Sequence, residues 1–379
     1  MANVLTDLAA DIYVAADVVA RELTGGLTAV TINANGSERV ALNDVVRSHF
    51  TRAATVGDTS PSMTIPEGTD QTVDNKTLTI NKSRSVQIPW TGEDMKHVNN
   101  GSGFETIYGD QIRQAMRALA NEMEVDVMNA AYLAASRAIG TAGTTPFASN
   151  FNELAELRKI LVDNGTPMDN QVSVVMDTAA GTKLRNLAQL QKVNENGSDQ
   201  LLRNGVLLDL QGLMLKESAG IATPTAGTGS SYVTNGTFAV GDTAISIDTG
   251  TGTILAGDVI TFAGDANKYV VATALTGGVV TIAAPGLRKS LADGVAVTLA
   301  ATATKNVAFH RRAVEIAMRA PAVPDGGDAA VDETVIQDPF SGMVFELRAY
   351  KGYRKSMFEV ASAWGVKAWK PEFIALLQG

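Results

Sequence analysis

The stretch GFETIYGDQIRQAMRALANEMEVDVMNAAYLAASRAIG, from Gly103 to Gly140, contains no proline, and Ile112, Met116, Leu119, Met123 and Val127 recur along it at the three-and-four spacing of one helical face. Arg113, Arg117, Asn121 and Glu124 take another face, so the segment reads as an amphipathic helix. At 1.5 Å per residue it would span roughly 50 Å, far beyond the average globular helix. A rod of that length needs a broad surface to lie on. A coiled-coil partner is one answer, but Ala118, Ala120, Ala130, Ala131, Ala134 and Ala135 spread apolar surface around the second half and blur any heptad seam. A sheet along one side fits better.

A chain of 379 residues, 45% apolar and 19% charged, has enough apolar material for two or three cores and is neither a disordered nor a membrane-spanning composition. Asp7, Asp11 and Asp17 near the start, with no basic region, are not the pattern of a secretory signal, so the expectation is a chain kept in a cytosol. The absence of cysteine removes disulfides, thiolate metal sites and cysteine nucleophiles together. A net charge of -9 argues against a basic field over the whole surface, so any nucleic-acid contact is local.

Taken in order, residues 4–24 read as an amphipathic helix with Leu5, Leu8, Ile12, Ala16, Val19 and Leu23 on one face, ended by Gly25-Gly26. It suits an arm that packs on a neighbour or a first helix of the protein's own core. Val45 to Phe50 reads as a short strand, and the Gly-, Pro- and Asp-rich text that follows is loop. Leu78, Ile80, Val86, Ile88 and Trp90 then alternate with polar residues as one strand, interrupted on its apolar face by Lys82 and Arg84, which must be wet or paired with acids. The result is a long hairpin whose tip has too little apolar surface to be buried in its own subunit.

Helices are expected at Phe151 to Leu161 and Thr182 to Leu190, with a buried strand at Val172 to Met176 between them. From Pro224 to Thr304 short β-branched runs alternate with turns such as Gly241-Asp242, Gly257-Asp258 and Gly277-Gly278, the text of a small barrel or sandwich inserted into the host. Asn306 to Met318 reads as strand, PAVPDGGDAAVDETVIQDP as an acidic loop, and Val344 to Tyr350 and Met357 to Lys367 as two strands turned around Lys351-Gly352. These last strands are the natural bed for the long helix. The fold class is α+β.

No motif carries catalysis. There is no phosphate-binding lysine loop, the Gly-Thr-Gly repeats at 227–229 and 250–252 are turns, and His49, His97 and His310 lack metal spacing. Asp325, Asp328, Asp332, Glu333 and Asp338 lack the spacing of a calcium loop. No catalytic residue, metal or cofactor is expected.

In YGDQIRQAMRALANEMEVDVMNAA, NVAFHRRAVEIAMRAP, DVITFAGDANKYVV and FEVASAWGVKAWKPE, and in the order of its segments, the chain resembles the tailed-bacteriophage major capsid proteins of the Hong Kong 97 fold, most of all the coat proteins of the short-tailed Salmonella phage group. The resemblance implies an N-terminal arm at 1–40, an extended-loop hairpin at 41–100 with its tip at 51–78, and a peripheral domain with its spine helix at 101–147. It further implies an axial domain at 148–223 and 305–342 around the β-rich insert 224–304, with closing peripheral strands at 343–379. Some members join an extended-loop lysine to a neighbour's asparagine; Lys76 is the one lysine near this loop and no matching context is present, so no crosslink is expected.

The function implied is structural: a shell of hexamers and pentamers of this chain around double-stranded DNA, built as a procapsid in the host cytoplasm with scaffolding and portal proteins, with a decoration protein as a further partner and no membrane. The loop's Asp58, Glu67, Asp70 and Asp74 would meet basic groups of an adjacent copy, Arg113 and Arg117 on the long helix or Arg348 and Lys351 in the closing strands. The alternatives are a cytosolic enzyme whose insert binds substrate, or a phage tail or decoration protein.

Overall fold

The computed structural model describes residues 25–51, 56–65, 73–99, 104–191, 207, 209–338 and 342–379. The helix expected over 4–24, and Glu67 and Asp70 in the loop, lie outside them. In chain order a 3-10 turn at Leu27–Ala29 leads into β1 (Thr31–Val40), β2 (Val45–Thr51), β3 (Val73–Thr79), β4 (Lys82–Thr91), α1 (Gly92–Asn99) and the long helix α2 (Phe104–Leu133). Then come β5 (Arg137–Gly140), α3 (Asn152–Asp163), β6 (Val172–Met176), α4 (Thr178–Arg185), α5 (Ala188–Gln191) and β7 (Met214–Glu217). The insert contributes β8 (Val233–Thr234), β9 (Ala244–Asp248), β10 (Val259–Phe262), β11 (Lys268–Thr276), β12 (Val279–Ile282) and β13 (Val297–Leu299). The chain closes with β14 (Lys305–His310), β15 (Val314–Pro321), β16 (Ala330–Gln337), β17 (Val344–Gly352), β18 (Lys355–Ala368) and β19 (Ile374–Gln378).

Two sheets grip the long helix. In the first, β18 is the hub, with residues 355–364 against β4, 355–361 against β17 and 363–368 against β15; β1 and β16 lie outside β15 and β17. In the second, the order is β7-β6-β14-β19-β5. Ile112, Met116, Leu119, Met123 and Val127 pack into one cluster with Phe345, Leu347 and Trp364 of the first sheet and Val307, Phe309 and Leu376 of the second. Each such side chain stabilises by about 1.5–3 kcal/mol when fully buried, so the helical stripe read from sequence holds the two sheets together.

Six strands of the insert close on themselves. Pairings run β8-β9-β12-β11-β10-β13, and a bridge between Val233 and Ala296 joins the last strand to the first. The interior is its own cluster, with Ile245, Ile260, Phe262, Tyr269, Val280 and Leu287 buried. The barrel meets the host where β11 adds to β5 (Lys268↔Ala138, Tyr269↔Arg137). Around that seam Arg137 donates to Asn267 at 3.1 Å and Arg288 to the carbonyl of Asp163 at 3.1 Å.

Several expectations are corrected. The long helix ends at Leu133 rather than Gly140, because residues 137–140 pair with both β19 and β11 and that ladder outweighs the helix propensity of the alanine run. The strand expected through Leu78 to Trp90 is two strands, broken where Ile80 exchanges hydrogen bonds with Asn43 and Asp44. One helix expected over 182–190 is two, the first capped by Asp177, whose side chain accepts from the Ala180 N–H. The acidic loop contains the strand β16, and the last turn centres on Tyr353 and Arg354, two residues beyond Lys351-Gly352. The five-residue β19 was not anticipated, although IALLQ is a short apolar run that is buried throughout.

Candidate assembly surfaces

The hairpin of β2 and β3 belongs to neither sheet. Its seven paired positions run from Val45↔Thr79 to Thr51↔Val73, a ladder that carries the loop roughly 20 Å from its base at 3.4 Å per residue. The base is anchored: Leu78 and Ile80 are buried against Ala317 and Ala363. Lys367 Nζ donates to the Thr77 carbonyl at 2.8 Å and Lys76 Nζ to the Trp369 carbonyl at 2.9 Å, and the two ammonium groups lie 5.2 and 5.7 Å from the centre of the Trp369 ring. Farther out no described residue covers residues 56–65. Val56 is 94% and Ile65 90% exposed, Met63 is fully exposed, and Asp58 stands in solvent. Asp74 lies in β3.

Lys82 and Arg84, which break the apolar alternation of β4, meet acids of the long helix as expected. Lys82 Nζ lies 2.9 Å from both Glu122 and Asp126, and Arg84 Nε 3.3 Å from Glu122. Burial alone would lower the Lys82 pKa, but the hydrogen bonds to Asp126 and Glu122 raise it above the ordinary lysine value. Asp126 also accepts from the Trp364 indole N–H at 2.9 Å, which fixes the largest buried side chain of the sheet to the helix.

Glu124 departs from the polar face assigned to it and is 2% exposed. Its Oε1 accepts from the Gly26 N–H at 2.7 Å and from Ser218 Oγ at 2.5 Å, and Oε2 accepts from the Leu27 N–H at 2.7 Å. One carboxylate thereby ties the start of the described chain, the long helix and the end of β7 together. A Cβ at Gly26 would sit 2.4 Å from the Met128 methyl and 2.8 Å from Glu124, so a larger residue would have to push both side-chain ends aside. Burial raises the Glu124 pKa above its ordinary value, against the hydrogen bonds from Ser218, Gly26 and Leu27. The Gly25-Gly26 pair was the sequence signal, read only as a helix stop.

The basic residues named from sequence lie in different settings. Arg348 is buried and held by Asp328 at 2.7 Å, Glu333 at 2.8 Å and Glu346 at 3.5 Å within its own subunit. Arg39 reaches Glu346 from the other side at 2.7 Å. Arg113 pairs with Asp110 one turn earlier at 2.9 Å, and Arg117 is half-buried. Lys351 is exposed at the turn between β17 and β18. The structure brings none of these four together with Asp58.

No protein-family model matches the chain, and no curated protein does. Solved structures do. The capsid structure of the cyanophage P-SCSP1u is 12% identical, with 92% of this chain and 86% of that chain covered at a TM-score of 0.49. A structure from Mycobacterium phage Che8 is 14% identical over 88% and 84% of the two chains at 0.46, and the capsid of a native GTA particle 10% identical over 94% and 90% at 0.47. At these identities and scores the likeness is one of chain course.

Proposed function

We propose that this chain is a major capsid protein, many copies of which form the icosahedral shell of a tailed bacteriophage around double-stranded DNA. The observation that carries the reading is the uncovered hairpin. A chain whose helix, sheets and barrel each have a closed core nevertheless extends a two-stranded ladder that ends in exposed Val56, Met63 and Ile65. No described residue of the subunit covers these groups, and a self-assembling shell supplies a partner to every copy. The order hairpin, long helix, interrupted domain and closing strands, with the motifs quoted above, supports the same reading. In it the role is structural rather than enzymatic, and the location is the virion capsid.

The finer parts of the proposal are a procapsid built with scaffolding and portal proteins in the host cytoplasm, expansion as DNA enters, local contact of the inner surface with that DNA, and a decoration protein outside. The barrel is proposed as a unit inserted in the axial domain. Light scattering and negative-stain imaging of protein purified with its scaffold test the core of this. Hollow particles of megadalton mass are expected; a monomer or dimer alone would refute the reading.

A further inference from the structure

We infer that Lys305 keeps the seat of the barrel from locking, which makes the barrel a hinged unit on the host rather than a fixed extension of its second sheet. The two strands of its stalk leave the host side by side. The Lys305 N–H donates to the Ala222 carbonyl at 3.0 Å, the Thr223 and Thr304 hydroxyls lie 3.2 Å apart, and the Ala226 N–H donates to Thr302 Oγ1 at 3.0 Å. A unit that is entered and left through one adjacent pair of strands has one axis to turn on.

Lys305 stands at the foot of that axis and is 4% exposed. Among the described residues none forms a hydrogen bond or an ion pair with its ammonium group. The register of β14 and β19 sets it opposite Gln378, which is also buried and whose Nε2 has no acceptor. Opposed residues share a face, and this face carries Val307 and Leu376 into the helix cluster. Asp258 of the barrel is close enough to attract the amine, but its carboxylate is taken up by the barrel's own backbone, accepting from the Leu255 N–H at 2.7 Å and the Gly227 N–H at 3.1 Å. Tyr132 of the long helix lies beside Asp258, and Lys268 of β11 donates to the Gly140 carbonyl. A charge buried without a direct partner is costly, and burial lowers the Lys305 pKa below the ordinary lysine value against the pull of Asp258.

The rest of the seat is slight. β11 pairs with β5 at two positions, and Val259, Val270 and Ala300 enter the host cluster. A cleft of about 530 Å³ also separates barrel from host, with Thr243, Ala272 and Ala283 on the barrel wall and Ala130, Ala134 and Ala368 on the host wall. Small side chains on both walls leave the barrel room to turn. Because the folded pKa of Lys305 is lowered, the seat is firmest above the ordinary lysine value and loosens as pH falls through the lowered one.

The free full-length subunit, labelled with carbon-13 at lysine Cε, reads this directly, with the Lys305 resonance identified by its loss in Lys305→Met. That resonance should titrate below those of the exposed lysines. Amide exchange at Val270, whose N–H donates to the Ser136 carbonyl across the seam, should slow with rising pH in the wild type once the intrinsic effect of pH is removed. It should be about tenfold slower and nearly independent of pH in Lys305→Met, and fast at every pH in Lys305→Arg, which stays charged, while Ile260 and Val280 inside the barrel keep their rates. A Lys305 resonance that titrates with the exposed lysines would show the amine to be solvated and overturn the assignment. Methionine and arginine variants that change Val270 exchange alike would make this an ordinary packing position, and a methionine variant that cannot fold would make the amine a support of the fold; either result also overturns it. None of these readings depends on shell formation.

Discussion

Glu124 shows how much one side chain organises. All three of its partners are donors, and two of them are main-chain groups that could not otherwise be satisfied beside the helix. Its folded pKa is raised above 4.5 by burial, so its contribution to stability is fully present below the unfolded value and is lost as pH rises through the folded one. Glu346, also raised by burial, contributes with the same sign. Glu124→Gln cannot titrate. Urea unfolding in buffers from mildly acidic to mildly alkaline should show a shallower decline of stability with pH for this variant than for the wild type, displaced by about 1–3 kcal/mol for the lost acceptor. Parallel pH curves would show that the carboxylate is solvated in solution. At Arg348 the logic is different. Arg348→Met leaves Glu346 buried with Arg39 alone, and a loss of about 3 kcal/mol is expected from denaturant midpoints.

At the scale of elements, strict periodicity was legible and tertiary competition was not. The stripe Ile112 to Val127, the strand Val172–Met176 and the insert strands Val259–Phe262 and Val279–Ile282 stand where the pattern put them, since each buries a face that its own sequence defines. The end of the long helix, the break at Ile80 and the strand inside the acidic text depended on partners far along the chain: β16 pairs with β17 along its length and buries Ile336 in the helix cluster, while Glu333 and, just before the strand, Asp328 reach Arg348. Of the candidate contacts, the exposed acid and the exposed turn were visible as composition, whereas the burial of Arg348 was not. The hairpin base gives an element-scale prediction. A Cβ at Gly365 would lie 2.1 Å from the Thr79 carbonyl oxygen, a backbone atom that cannot step aside alone. Gly365→Ala should therefore loosen β3 from β18, seen as faster amide exchange at Leu78 and Ile80 with the barrel unchanged. Equal rates would mean that the junction adapts.

For the whole molecule, the question is which parts stand alone. The barrel has a closed ladder and a core of its own and pairs with the host sheet at two residues, with Val259 and Val270 also packed into the host cluster, so residues 222–306 should fold in isolation with dispersed amide resonances. A collapsed spectrum would make the host sheet its template. The hairpin is the opposite case. Its base is buried, but burial at ~25 cal/mol per Å² of the few apolar groups in the loop would not offset an ordering cost of ~1–2 kcal/mol per residue unless a neighbour adds its own surface. On the proposed reading, stability is divided between the subunit, which closes its cores before assembly, and the shell, which would cover Val56, Met63 and Ile65. Hydrogen exchange over the described loop residues 56–65 should be fast in the free subunit and strongly slowed in shells, while Ile112 to Val127 in the long helix is protected in both. Equal loop protection in the two states would make the hairpin an ordinary intramolecular feature and remove the observation that carries the assembly reading.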